Sequence, residues 1–575
     1  MANKSQEVTV IVGSGHAAGA LLAALLRGRY QHEVVLIGEE PHPPYQRPPL
    51  SKNYLAGEVE QESLYLKPRS VYENAGYQLR LGVRVDQIDR DSKTVRLSDH
   101  SKIKYDRLVL ATGSQVRRLT SPGAKLKGIY YLHDMADADA LREVLVPGKR
   151  LVIVGGGFVG LEVAASAVKK GVHVTVLEAA GRLMQRVTGP EMSAFFYARH
   201  RDAGVDVRLD TGVTGFETGD HGFVAGVRLA NGDTVSADIV LVSIGVIPDT
   251  ALAEAAGLTC DGGILVDEFT RTDDPAILAI GDCTRHRNLF FEDRLRLESV
   301  ANAVDQARTA AAVLMGEDKP YDSVPWFWSN QYDLRLQTAG LSVGFDATVV
   351  RGLPADRSFS VVYLKAGRVI ALACEVTEEA AIARAMAATL DTLGRVDVCF
   401  ANAGIPGAGQ AIPEITPEGW DNTMGVNTRG AALVYKHVTR HMIARAQDGD
   451  AGGKLIVTSS GQSIMGVNRS SDYAASKAAV NGLTRAAAFE LARYQITANA
   501  LLFGFYETDI TAKADPKFAE WMSRRIPLRR PGDHGGLEGL AVFLASPAAR
   551  YITGQMLYVD GGILANQMSW EPDRL

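Results

Sequence analysis

Three observations predict an α/β fold with parallel sheets for this chain. Short β-type runs rich in Val, Ile and Leu end in glycine turns and pass directly into apolar helices. One such strand–turn–helix–strand unit returns 142 residues later, counted from Gly13 to Gly155. Beyond residue 375 a further α/β stretch follows, with a different texture and long Ala-rich helices. At 575 residues the chain has room for about three to five domains.

The first unit reads as strand Glu7–Val12, a glycine turn, helix Ala17–Arg27 and strand Glu33–Ile37. Strand Arg107–Leu110 closes on Ala111-Thr112-Gly113. The second unit repeats the pattern as Arg150–Val154, helix Val159–Lys169 and strand His173–Leu177, and strand Ile277–Ile280 closes on Gly281-Asp282. Strands Ser358–Tyr363 and Arg368–Ala373, joined by a turn at Ala366–Gly367, run into a helix over Thr377–Leu393. Thr377 suits its N-cap and Glu378–Glu379 its positive end, so this helix is expected to be shared by what precedes and follows it. Val396–Ala401 and Lys454–Ser459 read as strands, and Tyr473–Leu491 as a long helix.

Composition excludes several classes. Apolar residues make up 46% and charged residues 22%, the mixture of a globular chain, and the net charge is −5. Without a polybasic run, neither nucleic acid nor a membrane is the expected partner. Cys260, Cys283, Cys374 and Cys399 form no CxxC pair and no metal-binding spacing, so neither a metal nor a redox dithiol is expected. The start MANKSQEVTVIVG has no apolar leader, and no apolar run reaches the roughly 20 residues of a membrane span. A soluble, cytoplasmic protein is expected.

The two glycine turns carry the chemistry. In Gly13-Ser-Gly15-His-Ala-Ala18-Gly19, Gly13 permits a tight turn, Gly15 lets backbone approach a pyrophosphate, and Ala18 allows close helix–strand contact. Glu39, just past the next strand, is the acid expected on a ribose hydroxyl. In the second turn Gly155, Gly157 and Gly160 play the same parts, and Glu178 ends the following strand. Its carboxylate accepts from a ribose 2′-hydroxyl and repels a 2′-phosphate, which favours NADH over NADPH; Arg182 nearby weakens that preference. Thr112-Gly113 and Asp282, at strand ends, suit the ribityl chain of a flavin.

With these motifs the first 375 residues resemble the NADH-dependent flavoprotein ferredoxin reductases of bacterial oxygenase systems, which include putidaredoxin, rubredoxin and biphenyl-dioxygenase reductases. The matching segments are PPYQRPPLSK (Pro43–Lys52), LVLATGS (Leu108–Ser114), VGGGFVGLEVAA (Val154–Ala165), IGVIPD (Ile244–Asp249), AIGDC (Ala279–Cys283), LESVANAVDQAR (Leu297–Arg308) and PWFWSNQYD (Pro325–Asp333). The resemblance implies FAD in the first cradle, NADH in the second with Gly245 among its contacts, and an iron–sulfur ferredoxin or rubredoxin-like carrier as partner. It places Ala17, Glu39, Lys52, Val85, Asp282 and Val300 at FAD contacts. It pairs Lys52 with Glu162 near the flavin, and sets Trp326 and Trp328 at the isoalloxazine and carrier face. One departure is His133, where the family usually has an arginine near the FAD phosphates; weaker FAD retention is expected.

The remaining residues resemble the short-chain dehydrogenase/reductases, through ANAG (Ala401–Gly404), MGVNTRG (Met424–Gly430), IVTSS (Ile456–Ser460), YAASK (Tyr473–Lys477), TANALLFGFYETDI (Thr497–Ile510) and YITGQMLYVDGG (Tyr551–Gly562). That resemblance implies Tyr473 as acid/base with its pKa lowered by Lys477, Ser460 orienting the substrate oxygen, and Asn427 in a proton relay. The family's cofactor loop, TGxxxGxG, is missing from the residues that should hold it, so this module is expected to be truncated, inactive and used for homo-oligomerisation.

The expected architecture is therefore α/β throughout. An FAD-binding domain spans 1–118 and 245–321, and an NADH-binding domain spans 119–244, both Rossmann-like. A small α+β domain covers 322–375, and a partial short-chain-dehydrogenase Rossmann module covers 376–575. The expected function is NADH:ferredoxin oxidoreductase. The alternatives are a bifunctional enzyme with an active alcohol or dihydrodiol dehydrogenase module, and a non-catalytic assembly protein.

Overall fold

The computed structural model describes residues 7–288, 291, 294–321, 323–353, 358–365, 368–372, 382–383, 386–387, 389–390, 395–506, 516–532 and 535–565. The chain divides into two compact units, Met1–Thr348 with Tyr363–Ala373, and Val349–Val362 with Cys374–Leu575.

The first unit contains two parallel five-stranded sheets. In the first, the strands run in the order Ile277–Ala279, Arg107–Leu110, Val8–Val12, Glu33–Gly38, Gln78–Leu81. Its central strands are mostly apolar because both faces are covered. Helices His16–Arg27 and Val300–Leu314 pack on one face through Leu21, Leu25, Ala303 and Ala307. On the other face Val10, Val35 and Leu108 meet Val85, Val95 and Leu97 of a small antiparallel sheet. The second sheet has the order Asp206–Arg208, His173–Leu177, Arg150–Val154, Ile239–Val242, Ile129–Tyr130. Helix Phe158–Lys169 leaves its glycine turn.

Each helix begins one residue earlier than the pattern predicts, at His16 and Phe158, with Gly15 and Gly157 as N-caps in extended conformation. Past these sheets, strand Trp326–Gln331 pairs antiparallel with Leu334–Gly340, whose last residues pair with Arg368–Leu372.

The second unit holds a parallel sheet ordered Val398–Ala401, Gly453–Ser460, Ile496–Phe503, Met556–Val559. Helices Ala431–Gln447 and Ser471–Leu491 bury Tyr435, Met442, Val480 and Leu491 against it. One turn, Gly425–Gly430, is π-helical, with an extra residue inserted ahead of helix Ala431–Gln447. The expected N-cap Thr377, the turn Ala366–Gly367 and the end of the Thr497–Ile510 segment lie outside the described residues.

Candidate functional site

The two glycine turns are built alike. Gly13 and Gly155 have φ of +108° and +110°, a region that side chains avoid. A Cβ at Gly13 would lie 2.1 Å from the Ala111 carbonyl oxygen, and one at Gly155 2.2 Å from that of Ser243. The amides of Gly13 and Gly155 each donate at 2.8 Å to the end of the next strand, at Ile37 and Leu177. Gly160 is needed for packing, since a Cβ there would meet Gly155 O at 2.4 Å; Ala18, its counterpart, is fully buried. At Gly15 and Gly157, by contrast, a Cβ would meet nothing within 4 Å. The first glycine of each motif thus serves the turn, and the second borders open space at a helix N-terminus.

The other expected residues gather at the same carboxyl edges. Register pairs Val12 with Ile37 and Leu110, and Leu110 with Ala279, which places Gly13, Glu39, Thr112-Gly113 and Asp282 along one edge. Ala17 is buried at the start of its helix, Val300 opens the helix opposite, and Val85 lies buried beside the strand that ends at Gly38. Thr112 Oγ1 donates to Asp249 O at 2.7 Å, which joins two segments distant in the chain. Glu39 is exposed, while its neighbour Glu40 accepts from Arg47 at 2.6 Å and from the Tyr45 hydroxyl at 2.5 Å. Burial, with Glu298 adding to it, pushes the Asp282 carboxyl up to about 7.

Arg47 was legible only as part of a motif. Its guanidinium also donates to the His133 carbonyl and stands near His133, whose imidazole is held below its ordinary pKa by burial and by that cation. His16, in the first turn, is held down to about 4 by burial and by Arg47, and its buried Nδ1 has no partner among the described residues. An orphaned polar atom, an open Gly15 and a carboxyl at about 7, all at one sheet edge, suit a polar cofactor such as FAD.

At the second edge Glu178 accepts from Gly156 N at 2.7 Å and Ala180 N at 2.8 Å, which sets its carboxylate beside the glycine turn. Arg182 does not face that edge as a spare cation. It donates to Thr188 O at 2.6 Å, Ser193 Oγ at 2.8 Å and Gln185 O at 3.0 Å, so the expected weakening of the NADH preference has no support in the geometry. Gly245 adopts φ +95°, and a Cβ there would touch Arg186 at 2.8 Å.

Lys52 and Glu162 meet, at 2.7 Å, with side chains 14% and 5% exposed. Glu162 lies in the helix leaving the second glycine turn, and also accepts from Ser51 Oγ at 2.5 Å and Ser329 Oγ at 2.6 Å. Trp326 and Trp328 stack with ring centroids 5.1 Å apart on one face of their strand, and Phe327, on the other, packs 4.4 Å from Phe158.

In the second unit the four dehydrogenase-type residues also converge. Lys477 Nζ lies 5.7 Å from the Tyr473 ring centre and donates to Thr458 O at 3.0 Å. Asn427, in the π-helical turn, donates to Ser476 Oγ at 3.0 Å and exchanges bonds with the Ile405 backbone. The expected lowering of the Tyr473 pKa by Lys477 is not found. Burial pushes the phenol up, opposed by a hydrogen bond with Ser460, and burial alone holds Lys477 down to about 8. Desolvation decides the direction here, because taking the phenol out of water disfavours its charged form.

Among the described residues no helix is long and apolar enough to cross a membrane, and no cluster of three or more His, Cys, Asp or Glu could hold a metal.

Two glycine-turn cradles on parallel sheets, with a Lys–Glu pair on the helix that leaves the second, define a two-nucleotide oxidoreductase. Residues 8–307 match the family model described as pyridine nucleotide-disulphide oxidoreductase, and the chain belongs to this family of FAD- and NAD(H)-dependent enzymes. Over 367 residues it is 48% identical to the 5,5′-dehydrodivanillate O-demethylase ferredoxin reductase subunit of Sphingobium sp., covering 64% of this chain and 89% of that protein. It is 44% identical over 367 residues to the putidaredoxin reductase of Pseudomonas putida, covering 63% and 87%. A crystal structure of the covalent putidaredoxin reductase–putidaredoxin complex is 42% identical, with a TM-score of 0.63, covering 68% of this chain and 94% of that one. Residues 351–564 match a second model, described as enoyl-(acyl carrier protein) reductase, so the C-terminal module is of short-chain-dehydrogenase type.

Proposed function

We propose that the chain is an NADH-dependent ferredoxin reductase that delivers electrons to a [2Fe–2S] ferredoxin or rubredoxin-like carrier of an oxygenase system. The observation that carries this reading is the Lys52–Glu162 pair, its carboxylate buried, which joins the PPYQRPPLSK segment to the helix leaving the second glycine turn. The relatives are named as ferredoxin and putidaredoxin reductases, and one solved neighbour is a reductase joined to its putidaredoxin. The absence of a CxxC pair argues against the disulphide chemistry in the family's name. A cytoplasmic location, where NADH is available and thiols stay reduced, fits these cysteines.

FAD, when bound, takes up two electrons as hydride and returns them singly. Gly13 and Gly15 admit its pyrophosphate to the helix N-terminus at His16, and Glu39 and Asp282 accept from its hydroxyl groups, with Ala17, Ala18, Val85, Thr112, Gly113 and Val300 around them. Gly155, Gly157, Gly160, Glu178 and Gly245 serve NADH in the same way. The Lys52 ammonium would stabilise negative charge arising at the ring, and Glu162 keeps that ammonium in place. Trp328 belongs to the carrier side. The test is the purified protein under anaerobic conditions. A yellow band bleached by NADH, with reduction of added ferredoxin slowed about 10- to 100-fold in Lys52→Met, is expected. A colourless protein, or one whose colour NADH leaves unchanged, overturns the reading.

For the C-terminal module the proposal is homo-oligomeric assembly. Phe489, Val542 and Tyr551 are 88%, 68% and 99% exposed, unusual for large apolar side chains. The convergence of Ser460, Tyr473, Lys477 and Asn427 favours a second reading, an active alcohol or dihydrodiol dehydrogenase module. NAD-dependent alcohol oxidation abolished by Tyr473→Phe would establish it.

A further inference from the structure

The Lys52–Glu162 pair ends a longer chain of buried hydrogen bonds whose direction can be derived. A carboxylate only accepts, so Ser329 uses its one hydroxyl hydrogen on Glu162 Oε1, at 2.6 Å. Its oxygen then accepts from Gln331 Nε2 at 3.2 Å. That orients the Gln331 amide with its oxygen 2.8 Å from His200 Nε2. An amide oxygen is an acceptor, so His200 carries its proton on Nε2. Nδ1 must then accept, and its partner at 2.9 Å is the Tyr332 hydroxyl. Each bond fixes the next, and every donor points towards Glu162.

The middle of the chain is buried and uncharged. Ser329, Gln331 and His200 are each at most 1% exposed. Burial holds the His200 imidazole down to about 4 against the opposing bond to Gln331, so it stays neutral over the physiological range. A glutamine in the middle cannot pass a proton along, so the arrangement acts through dipoles. Strand alternation sets Ser329 and Gln331 on the face opposite Trp326 and Trp328. On its other side the same carboxylate accepts from Ser51 and Lys52.

We propose that Ser329, Gln331 and His200 are positioning residues, a one-way chain of donors that orients the Glu162 carboxylate, fixes the Lys52 ammonium and ties the tryptophan-bearing hairpin to that carboxylate. The inference rests on the reading of Lys52 at the flavin given above.

The experiment uses the full-length holoprotein and compares Ser329→Ala, Ser329→Thr and Lys52→Met. Ser329→Ala is expected to move the midpoint potential of the bound flavin in the same direction as Lys52→Met, by less, and to slow reduction by NADH about three- to tenfold. Ser329→Thr, which keeps the hydroxyl, is expected to restore both. Nitrogen NMR of the unsubstituted holoprotein is expected to show His200 as the neutral Nε2–H tautomer, a readout that needs no variant to fold. An Nδ1–H tautomer would reverse the chain and overturn the proposal. A folded Ser329→Ala protein with unchanged potential, beside an altered Lys52→Met, overturns it alone. If Lys52→Met itself changes neither potential nor rate, the reading of Lys52 falls and takes this inference with it.

Discussion

Burial raises the Asp282 carboxyl from the ordinary range near 4 to about 7, so the folded chain binds more protons there than the unfolded one between those values. In the flavin-free protein this site therefore loses stability as pH rises from about 4 to about 7, and stays at the lower level above. Asp282→Asn is expected to melt a few degrees higher than the unsubstituted chain at pH 8 and at nearly the same temperature at pH 4, while its FAD affinity falls about tenfold. Calorimetry and flavin titration check both. At the second cradle Arg182 is engaged by three acceptors, so Glu178→Ala is expected to lower kcat/KM for NADH about tenfold with little gain for NADPH. Steady-state kinetics with both nucleotides would expose an error, since an unchanged NADH preference would remove the role given to Glu178. Lys52 and Glu162 were legible because each sits in a specific motif. Ser51 and Ser329 lie in such motifs too, but their bonds to Glu162 were not legible, since a motif does not say which of its hydroxyls turns to a carboxylate 111 or 167 residues away on folding.

At the scale of elements, the two halves of each glycine motif separate by mechanism. Gly13→Ala would drive a methyl group into the Ala111 carbonyl at a left-handed φ, and is expected to cost at least about 3 kcal/mol or to abolish folding. Gly15, with φ −79° and no atom within 4 Å of a Cβ, is expected to accept alanine with a change in melting temperature of only a few degrees while losing FAD. Thermal unfolding beside flavin content distinguishes the two outcomes. Strand and helix positions were largely legible, because a parallel sheet covered on both faces leaves continuous apolar runs bounded by glycine. The π-helical turn at Gly425–Gly430 was not legible. Asn427 owes its place to the tertiary bonds it makes with Ile405 and Ser476, which no local pattern in the sequence marks.

For the whole molecule, the short-chain-dehydrogenase type of the C-terminal module was legible from its motifs, whereas the grouping of Val349–Val362 with the second unit was not, since those residues continue a run of strand-forming sequence. If the second unit drives assembly through its exposed apolar surface, Phe489→Arg should lower the sedimenting mass of the full chain and leave anaerobic bleaching by NADH intact. Equal masses for both proteins would argue against that surface. The glycine turns have a consequence that reaches past this one chain. In each, one glycine answers to the backbone and the other only to a guest, so selection can relax on the second without touching the first. A descendant that has stopped carrying its nucleotides would keep the counterparts of Gly13 and Gly155 and let Gly15 and Gly157 drift, an imprint by which retired members of such a lineage could be told from working ones.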